Sequence, residues 1–134
     1  MLRVMRYEPF LVKPNIHELG DTFGTELHDA DEAAVYARKL RDMGGRNVLV
    51  SMGANGALLV DEYGGEHRRG VFAGEVRNSV GAGDSMVAGF LAGCAGGDYG
   101  YALKLGTACG GATAFSDGLA DRAAIDRLME RAEV

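Results

Sequence analysis

No apolar run in this chain reaches the roughly 18 residues that a membrane-spanning helix needs. Nor is there an excess of basic residues. Fourteen Lys and Arg against nineteen Asp and Glu leave a net charge of −5. That balance argues against a surface built to hold nucleic acid, which is usually basic. The two cysteines, Cys94 and Cys109, form no CxxC pair and sit among small and apolar residues. They read as reduced thiols, as expected of a cytoplasmic protein. The first ten residues, MLRVMRYEPF, lack the apolar core of a signal peptide. His17, His28 and His67 show no metal-ligand spacing. There is no internal repeat, low-complexity tract or linker, and 134 residues suffice for one compact domain.

Glycine is abundant: 21 residues, without period and often in clusters between apolar segments. Such a pattern predicts many tight turns, and places where backbone comes close to a ligand or to another element. MLRVMRYE reads as a piece of helix stopped by Pro9, and PFLVK as a short buried strand. PNIHELG starts a turn of helix, and DTFGTELHD reads as a polar loop. Asp29 with Glu32 fits a capping box, and Ala33, Tyr36, Ala37 and Leu40 follow at helical spacing up to Gly44-Gly45. NVLVSM and GALLVDE read as a hairpin across Asn55-Gly56. HRRGVFAGEVR adds one or two more strands. From Ala82 the pattern is helical, with Val87, Phe90, Leu91 and Cys94 on one face. Asp98 caps a further helix, and a last one starts near Asp121, with Ile125, Leu128, Met129 and Ala132 on one face. The order is that of an α/β protein.

One stretch combines glycines with an acid. NSVGAGDSMVAGF, from Asn78 to Phe90, puts small residues and Asp84 where a turn becomes a helix. Backbone N–H groups can converge there, and the helix dipole favours an anion. A carboxylate beside an anion nest suits phosphoryl transfer, where donors take the charge of the moving group and an acid orients and deprotonates a hydroxyl. Asp84 could also be a plain N-cap. A Walker loop is excluded because no lysine follows, and a dinucleotide GxGxxG fails at Met86.

NSVGAGDSMVAGFLAG resembles the C-terminal signature of the ribokinase-like (PfkB-type) sugar kinases. LVKPNIHEL resembles the KPN and NxxE segment of that family, and NVLVSMGANGALLV its S-x-G-x-x-G hairpin, in the same order. Together they look most like the branch that phosphorylates sugar phosphates, 1-phosphofructokinase and tagatose-6-phosphate kinase. The resemblance implies a ribokinase-like, Rossmann-like three-layer α/β/α fold, represented by its C-terminal nucleotide-binding half; the N-terminal sugar-binding and lid half is absent from residues 1–134. It implies ATP with Mg²⁺, and a monovalent cation such as K⁺. Asp84 would be the base, and Gly81, Ala82 and Gly83 the anion hole. Asn15 and Glu18 would hold the magnesium and its waters, with Lys13 near the phosphates. Ser51, Gly53, Gly56, Asn78 and Val80 would line the nucleotide, and Thr107, Gly110, Gly111 and Ser116 would border the adenine. The partners would be nucleotide and sugar phosphate. A chain cut from its neighbouring strands would also bury its open face in a homodimer, through Met1–Val12 and Val48–Met52. The contrasting reading is a nucleotide-binding or self-associating module without catalysis.

Overall fold

The computed structural model describes residues 2–70, 82–114 and 122–130, in two compact units, Met1–Arg68 and Arg69–Val134. The first unit opens with a 3₁₀ segment, Leu2–Tyr7. Then come β1 (Leu11–Val12), α1 (Ile16–Phe23), α2 (Ala30–Asp42), β2 (Asn47–Ser51), β3 (Ala57–Val60) and β4 (Glu66–Arg69). The strands form one sheet in the order β1-β2-β3-β4. β1 runs parallel to β2, with Leu11 opposite Asn47 and Val12 opposite Val48. β2 and β3 are antiparallel, from Val48–Val60 to Ser51–Ala57. A parallel pair needs a crossover, and α1 and α2 supply it. Both helices pack on Val12, Val48, Val50, Leu58 and Val60 through Leu19, Ala33, Ala37 and Leu40. Each such aliphatic side chain contributes roughly 1.5–3 kcal/mol on full burial.

The hairpin is real, but its turn differs from a two-residue Asn-Gly link. The chain makes one 3₁₀ turn over Gly53–Asn55 and leaves it through Gly56 at φ 88°, ψ −139°, a conformation open mainly to glycine. The DTFGTELHD segment also differs from a loop: α1 runs on through Phe23 and ends on Gly24 in the left-handed region. The Asp29 cap forms, its Oδ1 accepting from Glu32 N–H at 2.8 Å, but the Glu32 carboxylate takes the His28 N–H at 3.2 Å and not that of Asp29. The carboxylate at N3 thus reaches one residue past the N-cap and leaves the box open.

The strand proposed for a dimer face lies elsewhere. β2 is paired on both sides and Val48–Val50 are fully buried, so Val48–Met52 presents no open edge. The Leu2–Tyr7 segment meanwhile folds back over the end of α2, sinking Met5 against Gly45.

In the second unit α3 (Ala82–Cys94), α4 (Tyr99–Ala114) and α5 (Arg122–Met129) pack together. Asp98 caps α4 by accepting from Tyr101 N–H at 3.0 Å. Ala108, Ala112 and Leu128 form a small core with Ile125 and Met129 around it. The expected apolar face of α3 is corrected: Leu91 is exposed, and the buried face is Gly89, Phe90 and Gly93. Gly89 and Gly93 face α4 so closely that a Cβ on either would lie 2.6 Å from an α4 atom, Cys109 Sγ or Ala102 Cα. Backbone proximity, not side-chain bulk, decides which face is inside. Cys94 and Cys109 are half-buried and outside any disulfide, and burial pushes the Cys109 thiol up against a smaller opposing pull from the Arg122 charge.

Candidate phosphate and metal site

In the first unit the residues singled out from sequence gather at the carboxyl ends of β1 and β2. Parallel strands favour ligand crevices at these ends. Lys13 follows β1 directly and is half-buried. Asn15 bridges to Ser51 in parallel, and Ser51 N–H donates to Pro14 O at 3.2 Å. Gly53 and Gly56 follow within the hairpin turn, where Met52 N–H reaches Gly56 O at 2.8 Å. Lys13, Asn15, Glu18, Ser51, Gly53 and Gly56 therefore share one end of the sheet.

Asn15 and Glu18 are bound to each other. Asn15 is the N-cap of α1: its Oδ1 accepts from Glu18 N–H at 2.8 Å, and Glu18 Oε1 accepts from Asn15 N–H at 2.9 Å. This is a complete capping box. The box fixes Glu18 at the helix start and occupies one of its carboxylate oxygens. Glu18 itself stays exposed. Among the described residues, no group of three or more His, Cys, Asp or Glu could hold a metal ion. The donor set, one exposed carboxylate beside an amide, therefore fits a hard cation held through its waters and not a dedicated protein cage.

In the second unit Asp84 lies in the first turn of α3, exposed, with Ala82 and Gly83 before it in the helix. The helix starts at Ala82, so Asp84 stands two residues inside it and is not the N-cap. Thr107, Gly110 and Gly111 lie on α4; Thr107 is buried, and its hydroxyl donates to Lys104 O at 2.9 Å. Asn78, Val80, Gly81 and Ser116 lie outside the described residues.

Sequence reasoning missed several polar anchors of the first unit. Asn47 is fully buried; its Nδ2 donates to Phe10 O and its Oδ1 accepts from Glu62 N–H, both at 2.9 Å. Arg41 reaches the carbonyls of Asp61 and Glu62 at 2.9 and 2.6 Å. Asp61 is buried and accepts from Tyr63 N–H, Gly65 N–H and the His67 ring at 2.7–2.9 Å. Burial works to raise its carboxyl pKa. The bonds from His67, Gly65 and Tyr63, with the His67 charge, outweigh that and hold it below the usual carboxylate value. The signal in the sequence was a polar residue at each end of an apolar strand run, Asn47 and Asp61.

Each unit also carries a cleft. One of about 440 Å³ in the first is lined by residues that include His17, Asp21 and Glu26, and one of about 480 Å³ in the second lies between α3, α4 and α5. Neither is lined by the residues singled out above.

The profile of the pfkB family of carbohydrate kinases matches residues 1–125. The chain belongs to this family. It is 42% identical to the 1-phosphofructokinase of Bacillus subtilis (strain 168) over 135 residues, covering 100% of this chain and 44% of that protein. It superposes on phosphofructokinase-2 of Escherichia coli, solved in complex with potassium, with a TM-score of 0.85 at 27% identity, over 96% of this chain and 43% of the other. It also superposes on Arabidopsis thaliana ribokinase, complexed with ribose and ATP, with a TM-score of 0.81 at 22% identity, over 92% of this chain and 41% of the other. The fold is ribokinase-like α/β. The pfkB-family chain spans less than half the length of these relatives. Among its described residues no helix is long and apolar enough to cross a membrane.

Proposed function

We propose that the chain is the C-terminal, nucleotide-binding portion of a sugar-phosphate kinase that moves the γ-phosphoryl of ATP to a hydroxyl of fructose 1-phosphate or tagatose 6-phosphate. The observation that carries this reading is the place of Asp84: an exposed carboxylate in the first turn of α3, inside the helix and not used as its N-cap, after the glycine-rich sequence Val80–Gly83. The 42% identity to a 1-phosphofructokinase supports the substrate class.

In this reading Asp84 accepts the proton of the attacking hydroxyl as its oxygen bonds to the γ-phosphorus and ADP leaves. The N–H groups of Gly81, Ala82 and Gly83 take the charge of the transferring phosphoryl. Lys13 approaches the nucleotide phosphates; Ser51, Gly53, Gly56, Asn78 and Val80 line the nucleotide; Thr107, Gly110, Gly111 and Ser116 border the adenine. Glu18, held by Asn15, would carry a hydrated Mg²⁺, which supplies neutralisation of phosphate charge. K⁺ is the monovalent cation to test, since it is the one named for the phosphofructokinase-2 complex. The protein works in the cytoplasm, and its Met1–Val12 segment pairs with a second copy through the edge strand β1.

An assay coupled to ADP release, run with both sugar phosphates, tests the reading. Turnover should appear with one of them. Asp84→Asn should lower it by roughly two to four powers of ten, the usual worth of a general base, while calorimetric ATP binding is kept. ATP binding without ADP release from either sugar would favour a non-catalytic module. Unchanged turnover in Asp84→Asn would remove the base.

A further inference from the structure

We propose that Gly106 is a positioning residue for Asp84, acting through the backbone of Met86; the functional meaning of this rests on the phosphoryl-transfer reading above. A Cβ at Gly106 would lie 2.9 Å from the Met86 carbonyl oxygen and 3.3 Å from both Phe90 Cβ and Phe90 N. All of these atoms belong to α3. Backbone atoms cannot rotate aside as a side-chain tip can. Phe90 is fully buried, so it offers no slack either. Any side chain at position 106 therefore pushes α3 away from α4 at Met86, and ordinary contact distances require a shift of about half an ångström. Met86 is two residues beyond Asp84, about 3 Å along the helix axis. The displacement falls on the turn that carries the carboxylate.

Two other glycines set the same spacing at greater distance from Asp84. A Cβ at Gly89 would lie 2.6 Å from Cys109 Sγ and 2.9 Å from Leu105 O. One at Gly93 would lie 2.6 Å from Ala102 Cα. Gly93 is nine residues from Asp84, about 13 Å along the axis. All three substitutions disturb the same helix pair. They differ in how near Asp84 the push is applied. A general loss of stability would weigh all three by their clash, whereas positioning orders them by distance: Gly106, then Gly89, then Gly93.

The test compares Gly106→Ala, Gly89→Ala and Gly93→Ala in the full chain. Three measurements are made: thermal stability, amide hydrogen exchange at Met86–Ala88, and the affinity for inorganic tripolyphosphate. For Gly106→Ala we expect exchange at Met86–Ala88, whose N–H groups bond back to the turn that carries Asp84, to speed up at least tenfold and tripolyphosphate binding to weaken about tenfold. For Gly93→Ala both should stay within twofold even where the melting temperature falls as far. Gly89→Ala should lie between. Should Gly106→Ala not fold, the order of Gly89→Ala over Gly93→Ala still decides the matter. Equal effects of all variants after matching for stability, or no change at Met86–Ala88 in Gly106→Ala, overturn the proposal. If the unaltered chain binds no tripolyphosphate, the phosphoryl-transfer reading fails, and the exchange order alone judges the role of Gly106.

Discussion

Asn15→Ala and Glu18→Gln should separate the two jobs that meet at the start of α1. Asn15 Oδ1 satisfies the Glu18 N–H, and the Asn15 backbone N–H, which alanine keeps, holds Glu18 Oε1. Asn15→Ala therefore removes the side-chain cap and leaves the other arm. Loss of such a cap costs about 1 kcal/mol, within a range of roughly 0.5–2. For a unit the size of Met1–Arg68 that is a fall in Tm of roughly 4–8 °C. Glu18→Gln keeps an acceptor for the Asn15 N–H and loses the charge. Its cost is the helix-dipole contribution, about 0.3–1 kcal/mol, so Tm should fall by less. The effects on Mg²⁺-dependent ATP affinity should be reversed. Asn15→Ala should change it by less than about threefold, and Glu18→Gln should lower it by roughly tenfold or more, the worth of a charge-assisted contact. Thermal melts by circular dichroism and calorimetry of ATP with and without Mg²⁺ read both quantities. An Asn15→Ala chain with unaltered Tm and a tenfold weaker Mg²⁺ response would refute the reasoning, because Asn15 would then touch the hydrated metal directly.

Asp61 should make the first unit acid-sensitive. Its native pKa is lowered, so its contribution is fully present above the unfolded value of about 4 and is lost as pH falls through the native one. Urea midpoints from pH 6 down to pH 3 should show the wild type losing its advantage over Asp61→Asn below about pH 4; a constant difference would count against the bonds from His67, Gly65 and Tyr63. Gly44→Ala should release the N-terminal segment, since Gly44 has φ 127° and a Cβ there runs into the Met5 carbonyl. Faster tryptic cleavage after Arg3 and Arg6 would report it. Gly64→Ala, with φ 87° but open space around it, should cost about 1–2 kcal/mol without changing that cleavage.

Apolar runs and glycine breaks made the strand and helix order legible. Val48–Val50 of β2 and all of β3 are unbroken apolar runs, and α2 shows its period in Ala33, Ala37 and Leu40. The errors arose where one residue type has two uses. Glycine marks a turn at Gly53, a helix end at Gly24 and a helix contact at Gly89, and only the fold tells these apart. Hence Leu91 was placed on the wrong side of α3. Asn15 and Glu18 carry a second use too: their spacing of three is that of a capping box, which the structure builds, beside the metal role that the resemblance implies. The buried anchors Asn47 and Asp61 answer partners 15 and 6 residues away, at Glu62 and His67, which no local pattern encodes.

The starts of the helices offer a last test of where an anion can sit. The first N–H groups of any helix need acceptors. In α1, α2 and α4 side chains provide them: Asn15, Asp29 and Asp98 each accept an N–H three residues on. Each of those ends has its cap. The residue before α3 is Gly81, which has no side chain to offer. The proposed function gives the first N–H groups of α3 an external acceptor, and a phosphate oxygen suits them. A polar residue at position 81 should close the opening. Gly81→Asp should place a carboxylate where the helix favours one, and add up to about 1 kcal/mol of stability where the backbone accepts it. The same carboxylate should repel a phosphate. We expect tripolyphosphate affinity to fall at least tenfold while the melting temperature holds or rises. Calorimetry and thermal melts of the same sample read both changes. A variant that keeps its phosphate affinity while its Tm rises would show that the N–H groups of α3 are not the anion hole, and the phosphoryl group would then have to be held elsewhere in the chain.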